Sequence, residues 1–357
     1  MNPRTSLYLD AIRFIAALVV FLCHAKLPYF STGVRWFPSF GYEMVIVFFV
    51  LSGFVIAYTA ERKARDWRIF AAERLSRLYS VALPALILTA ILDLVGRRWD
   101  STLYEELAPS SHYWERIGLS VAFLQQSGNL GARPGSNGPY WSLAYEFWYY
   151  AGFAALFYPC SLRSKVCVCI VVLIAMTPKI LLLMPIWLSG VACYHICRRG
   201  SFPKRWAPPV SISSFTLIAA ALTGVIQLPF SAQNLDAVPP LFFSGRFAEA
   251  NQLGILIALH FISMDAWMRG ASGVNRSLQA VVRFFANRTF SLYLFHAPIL
   301  VFCRAFIPYD SASNWQVYCI VALIFIVILG LSEITEMRRQ WWRGVFYRLF
   351  RVASVEP

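Results

Sequence analysis

The sequence predicts an all-α protein, a polytopic transmembrane bundle of about ten helices with its amino terminus in the cytosol. Three observations carry this. Of 357 residues, 58% are hydrophobic and only 14% charged, with a mean hydropathy of +0.56, too little charge to cover a soluble fold of this size. The apolar residues come in long blocks separated by short basic stretches, which is the pattern of membrane spans. The basic residues also alternate between the two sides of those blocks, as the positive-inside rule requires.

The first span, Leu7 to Ala25, lacks a small-residue cleavage site and carries Arg13 within it. It reads as a retained helix and not a signal peptide. The second, Gly41 to Ala60, is a continuous apolar run. The third, Leu78 to Val95, follows a basic stretch. The fourth, Pro139 to Tyr158, opens on a proline suited to a first helical turn, with Asn137 or Gly138 at the cap. The fifth and sixth, Val166 to Met176 and Ile180 to Cys197, flank a Thr-Pro-Lys break. The seventh is Val210 to Leu228 and the eighth Gln252 to Met264. The ninth, Phe290 to Phe306, contains Pro298, and the tenth runs from Gln316 to Ile334. A crossing takes about twenty residues, so the fifth and eighth fall short and read as broken or partly embedded helices.

With the amino terminus inside, 22 of the 32 Lys and Arg fall on inner segments. Nine, including Lys26, Arg35 and Arg304, fall on outer ones, and Arg13 lies within a span. Residues 1–340 read as a single transmembrane domain and 341–357 as a cytosolic basic tail. The net charge of +14 sits between apolar spans, which argues for topology and contact with membrane lipids and against a nucleic-acid partner. The eight cysteines, Cys160 and Cys193 among them, lie mostly in or beside apolar runs and form no secreted-type framework. Cys193, His195 and Cys197 have the spacing of a metal-site fragment, but thiols packed in a helix account for them better, so no metal is expected.

Ionisable groups at bilayer depth cost about 2.5–3.5 kcal/mol each on insertion scales and need a reason to be there. Arg13 and His24 are eleven residues apart, which is three helical turns plus about 20°. They share one face, roughly 16 Å apart along the axis, with Asp10 one turn before Arg13 and able to pair with it. Snorkelling of Arg13 and wetting of His24 by outer headgroups explain each alone; together they favour a lined cavity. Glu146 lies about two turns into the fourth span, where a carboxylate is either paired or protonated. Trp141 and its aromatic neighbours read as an interfacial belt or, facing outward, as platforms for a sugar ring. His296 falls in mid-span, and Pro298 frees a backbone carbonyl one turn earlier. Arg62, Lys63, Arg65, Arg68, Arg74 and Arg77 put six cations in one inner loop. Arg74 and Arg77 share a face and suit phosphates; anionic lipid headgroups are the other reading. Glu43, Asp93 and Glu333 lie near span ends and read as solvated. His112, His195 and His260 read as structural.

Taken in order, these segments resemble the membrane acyltransferase family 3. Leu9-Asp-Ala-Ile-Arg13 with His24 is similar to its opening motif, an arginine and a histidine separated by ten residues. Val47 to Ile56, with Gly53, looks like its second-span signature, and Arg74 with Arg77 like its basic start to the third span. Trp141-Ser142-Leu-Ala-Tyr-Glu146 and Ser291-Leu-Tyr293-Leu-Phe-His296-Ala-Pro298 look like its later motifs. The matches cover about residues 7 to 300. Two departures stand out: Phe14 follows the motif arginine where the family often has glycine, and Ser80 stands where a proline usually follows the basic pair. The chain resembles members that stand alone, without a fused extracytoplasmic domain.

The resemblance implies O-acyl transfer in the bacterial cytoplasmic membrane, commonly of acetyl from acetyl-CoA, onto a hydroxyl of an envelope or exported glycan. Acetyl-CoA is then a co-substrate and the glycan, free or lipid-linked, the acceptor; no bound cofactor is expected. On this reading His24 is general base or acyl acceptor, and Glu146 orients it. Arg13, Arg74 and Arg77 hold the acyl donor. Asp10, Asn137, Trp141, Ser142, Tyr293 and His296 contact substrate or support the site. The alternative is a membrane carrier or flippase for a glycan, with Asp10, Arg13, Glu146 and His296 along its pathway.

Overall fold

The computed structural model describes residues 2–26, 28–31, 36–62, 66–128, 130–159, 161–229, 241–270, 273–310 and 313–352. Arg35, Lys63, Arg65 and Cys160 lie outside the described residues, as do the last residues of the tail. The described residues form helices α1 (Pro3–His24), α2 (Gly41–Arg62), α3 (Trp67–Gly96), α4 (Ser101–Leu107), α5 (Tyr113–Val121), α6 (Trp141–Phe157) and α7 (Leu162–Arg199). They continue with α8 (Ala207–Leu222), α9 (Phe247–Met268), α10 (Arg276–Ala286), α11 (Thr289–Phe306), α12 (Asn314–Ile334) and α13 (Arg339–Leu349). Side-chain caps start several of them: Asn2 accepts from the Arg4 amide at 3.0 Å and Asp66 from that of Arg68 at 2.8 Å, satisfying otherwise unpaired helix-end donors.

Among the described residues, seven helices are long and apolar enough to cross a membrane. Helices α6 and α8 are slightly shorter, at 17 and 16 residues. Helix α7 is two limbs, because Thr177 has a non-helical backbone at φ 52° and ψ 165° ahead of Pro178. The first limb runs beside α6, with Lys165 Nζ donating to the Leu156 carbonyl. The second limb runs parallel to α2, and Arg198 at its end pairs with Glu61. The all-α polytopic bundle that the hydropathy pattern predicts is present, with seven helices of spanning length among the described residues.

Two spans need correction. The eighth is a full 22-residue helix, α9, and not a short one. Its first turns looked polar, but Glu249 pairs with Arg246 at 2.7 Å and Asn251 donates to the Leu182 carbonyl at 2.9 Å. The basic stretch before the third span is helical too, so Arg74 and Arg77 lie inside α3. The interfacial helix α10, the outer helices α4 and α5, and the docking of α13 on α3 through Glu73 had no hydropathy signal. Arg339 and Arg343 of α13 pair with Glu73 at 2.8 and 2.7 Å.

Helix ends gather on two faces. One holds Asn2, Glu61, Glu73, Arg198, Arg269 and Arg339, tied by bonds such as Asn2 Nδ2 to the Met268 carbonyl at 2.8 Å. The positive-inside rule assigns this arginine-rich face to the cytosol. The other holds Glu43 paired with Arg246 at 3.0 Å and Asp93 buried under Ser136 and Tyr113; neither acid is merely solvated. Glu333 pairs with Arg288.

The closest helix contact joins α2 to the second limb of α7. A Cβ on Gly53 would lie 2.0 Å from the Trp187 carbonyl oxygen, and one on Gly190 2.0 Å from that of Val50. Only glycine lets the two backbones approach this way, the small-residue packing expected in lipid. Gly53→Val is therefore expected to destabilise the protein by about 1–3 kcal/mol through overpacking. The melting midpoint of the detergent-solubilised protein reads this directly; an unchanged midpoint would contradict the contact.

Candidate active site

The residues that the sequence singled out fall into two adjoining groups. The first lines a cavity between α1, α2, α3, α6 and α11. Its walls carry Arg13, Arg74, Arg77, Ser52, Glu146 and Tyr150. Arg13 pairs with Asp10 at 3.2 Å, as their spacing predicts. Arg74 is buried, and its Nε has no hydrogen-bond partner among the described residues. The neighbouring carboxylate, Glu73, is shared between Arg74, Arg339 and Arg343. The lining itself carries three guanidiniums and one carboxylate, Glu146, while Asp10 stands behind Arg13 and Glu336 interacts with Arg13 and Arg77. The free space of the cavity is about 60 Å³, roughly that of two waters.

Glu146 belongs to this group and does not orient His24. It accepts from Ser52 at 3.1 Å and from the Tyr150 hydroxyl. The reason is helical phase: Glu146 and Tyr150 stack one turn apart on the α6 face turned toward α2 and α3. Ser52 and Tyr150 were not singled out in the sequence. Ser52 sits within the second-span signature, directly before the Gly53 contact, and that was the available signal.

The second group is a histidine relay. His24 ends α1, and its Nδ1 lies 2.9 Å from Nε2 of His296, with the rings stacked 5.0 Å apart. Nδ1 of His296 lies 2.9 Å from the Leu292 carbonyl. A carbonyl only accepts, so His296 Nδ1 carries the proton and its Nε2 is an acceptor. His24 Nδ1–H must then donate to it, which leaves the lone pair on His24 Nε2. His296 is fully buried whereas His24 is partly exposed. His24 is thus the more accessible of the two rings, and His296 lies enclosed behind it.

His24, at the end of α1, lies below the end of the neighbouring α11. Helix α11 runs on to Phe306 beyond His296, roughly 15 Å at 1.5 Å per residue. The Tyr29 ring closes edge-on over His24 at 4.9 Å. Burial pushes the Tyr29 phenol up, with Arg133 pulling it partly back.

The remaining residues brace the relay. Asn137 makes no side-chain cap on the turn that follows it. Its Nδ2 instead donates to the Leu294 carbonyl at 2.9 Å and to Thr89 at 3.2 Å. Leu294 is the residue whose carbonyl Pro298 leaves without an amide donor. Tyr293 donates to the Pro139 carbonyl at 3.0 Å and meets Ser142 at 2.8 Å. It also lines the cavity, and its ring lies 6.2 Å from that of His296, so it joins the two groups. Trp141 is not an outward platform for a sugar. It is 5% exposed and stacked on Phe243 at 4.3 Å, because Phe243 folds back over the start of α6. Phe14, the departure after Arg13, stacks on Phe285 of α10 at 4.7 Å and so docks the interfacial helix on α1. His260, read as structural, bonds Tyr8 at 2.7 Å and ties α1 to α9. No group of three or more His, Cys, Asp or Glu arranged to hold a metal occurs among the described residues.

The chain is thus a multi-pass helical bundle with a pair of imidazoles beside an arginine-lined cavity. Residues 6–333 match the family described as Acyltransferase domain, and the chain belongs to that family. The chain is also similar to Acyltransferase MdmB of Streptomyces mycarofaciens, at 29% identity over 155 residues. That alignment covers 41% of this chain and 37% of the relative, so the chain spans little more than a third of the length of this curated protein. No solved structure matches.

Proposed function

We propose that the protein moves an acyl group, acetyl from acetyl-CoA foremost, from the cytosol onto a hydroxyl of an envelope or exported glycan in the bacterial cytoplasmic membrane. The observation that carries this reading is the order of the two groups across the bundle. Cations lie toward the cytosolic face, where an acyl-CoA with its several negative charges arrives. The reactive nitrogen of His24 lies beyond them, toward the opposite face. The glycan, free or lipid-linked, is the acceptor.

The step balances as follows. His24 Nε2 takes the proton of the acceptor hydroxyl as its oxygen attacks the thioester carbonyl. The carbon–sulfur bond breaks, CoA leaves as thiolate, and the imidazolium returns the proton to it. In the two-step variant Nε2 attacks first, and the acyl-imidazole passes the group to the hydroxyl. Both routes need the same free nitrogen.

Arg74→Ala is expected to raise KM for acyl-CoA about tenfold, since one charge-assisted contact contributes about 1.5–3 kcal/mol. Its kcat should stay within about threefold. Initial rates at varied acyl-CoA test this, and an unchanged KM would remove Arg74 from the donor site.

A further inference from the structure

The cytosolic ends of α2, α7 and α9 enclose a second basic pocket, separate from the cavity described above. It has a volume of about 310 Å³ and is lined by Arg62, Arg198, Arg199 and Arg269, with Tyr58 and Tyr194 as aromatic walls. It lies on the far side of α2: Ser52, Val55 and Ile56 face the catalytic cavity, whereas Phe54, Tyr58 and Arg62 face this pocket.

Two acids stand at its rim, and both are spent. Glu61 takes Arg198 on one oxygen and the Tyr194 hydroxyl, at 2.6 Å, on the other. Asp265 takes Thr5 at 3.0 Å on one oxygen and Arg269 at 3.1 Å on the other. Arg62 and Arg199 have no carboxylate partner among the described residues, and Nη2 of Arg269 is buried without a hydrogen-bond partner. Four guanidiniums against two saturated carboxylates leave an excess of two positive charges and open donors.

The walls are held in place. Arg269 Nη1 donates to the Gly200 carbonyl at 2.9 Å, joining the ends of α7 and α9, and Asn2 ties α1 to α9. A solvated charge run would not tie its cations to backbone carbonyls or bury a guanidinium nitrogen. The guanidinium fork matches phosphate oxygens.

We propose that this pocket is a phosphate-binding site, taking either the headgroup of an anionic phospholipid at the cytosolic leaflet or a soluble phosphoester. The six-cation loop is thereby divided: Arg74 and Arg77 serve the catalytic cavity, and Arg62 serves this second site. The assignment is independent of the acyl-transfer reading.

The test uses the purified full chain in detergent, read by native mass spectrometry and by melting midpoint. The probes are phosphatidylglycerol, phosphatidylcholine and glycerol 1-phosphate. Wild type is expected to bind phosphatidylglycerol in preference to phosphatidylcholine and to melt higher with it. Arg62→Ala combined with Arg199→Ala should weaken that binding about tenfold or more, while Arg74→Ala leaves it intact. Binding of glycerol 1-phosphate that competes with phosphatidylglycerol identifies a site for the phosphate group itself. A requirement for acyl chains identifies a lipid site. Equal binding of both lipids with no binding of glycerol 1-phosphate would overturn the proposal, as would full retention in the double variant.

Discussion

His24→Ala is expected to lower acyl transfer by about three orders of magnitude, within the range by which a positioned acid–base group accelerates proton transfer. The loss should be larger if the imidazole also carries the acyl group. The variant should still insert and fold, because the relay bond is one contact at the end of a 22-residue helix that packs along its whole length. Size-exclusion behaviour and melting in detergent check folding, and transfer of label from acyl-CoA checks activity. Transfer at the wild-type rate by a folded His24→Ala protein would remove the imidazole from the chemistry.

His296→Ala is expected to cost about a hundredfold in kcat, the upper part of the range for groups that orient a reactive ligand or base. Without the acceptor at His296 Nε2, His24 keeps only its Val20 backbone partner, so the imidazole is held less firmly and its Nε2 lone pair is aimed less well. KM for acyl-CoA should change little, since the arginines are untouched. His296→Gln, whose side-chain oxygen can accept from His24, should recover part of the loss. A merely structural role predicts instead that melting and activity fall together and that glutamine rescues nothing; that outcome would break the relay argument.

The two histidines show how far a sequence reaches. The eleven-residue interval from Arg13 to His24 gave a shared helix face, and the structure keeps it: one residue lines the cavity and the other ends the same helix. Depth was readable for Glu146 and His296, but partners were not. A carboxylate in the fourth span and an imidazole in the ninth each needed a companion, and hydropathy says nothing about helix phase or neighbour. Sequence spacing pairs Glu146 with His24, whereas its turn of α6 points at Ser52 and Arg74, and it does not show that His296 bonds His24. Trp141 fits an interfacial belt by composition, because tryptophans crowd interfaces, yet Phe243, about a hundred residues away, covers it.

The same holds for the fold. Apolar blocks mark the helices of the bundle, and the break between the fifth and sixth is real at Thr177. The eighth pass reads as short because its first turns hold Glu249, which pairs with Arg246 one turn earlier, and Asn251, whose partner, the Leu182 carbonyl, lies on another helix that no local window contains. Interfacial helices such as α10 are amphipathic and brief, so a hydropathy scan passes over them; the aromatic Phe14, in place of the family's frequent glycine, marks where one docks.

The central claim is that cytosolic donor and outward-facing acceptor meet at His24. The most direct measurement uses sealed proteoliposomes containing only this protein, in one orientation, with the acceptor glycan enclosed on the side opposite the arginine-rich face. Radiolabelled acetyl-CoA is then added on the arginine-rich side. The account predicts label on the enclosed glycan, and none in vesicles carrying His24→Ala. Label that appears only when donor and glycan share a side, or that appears equally in the variant, would contradict it.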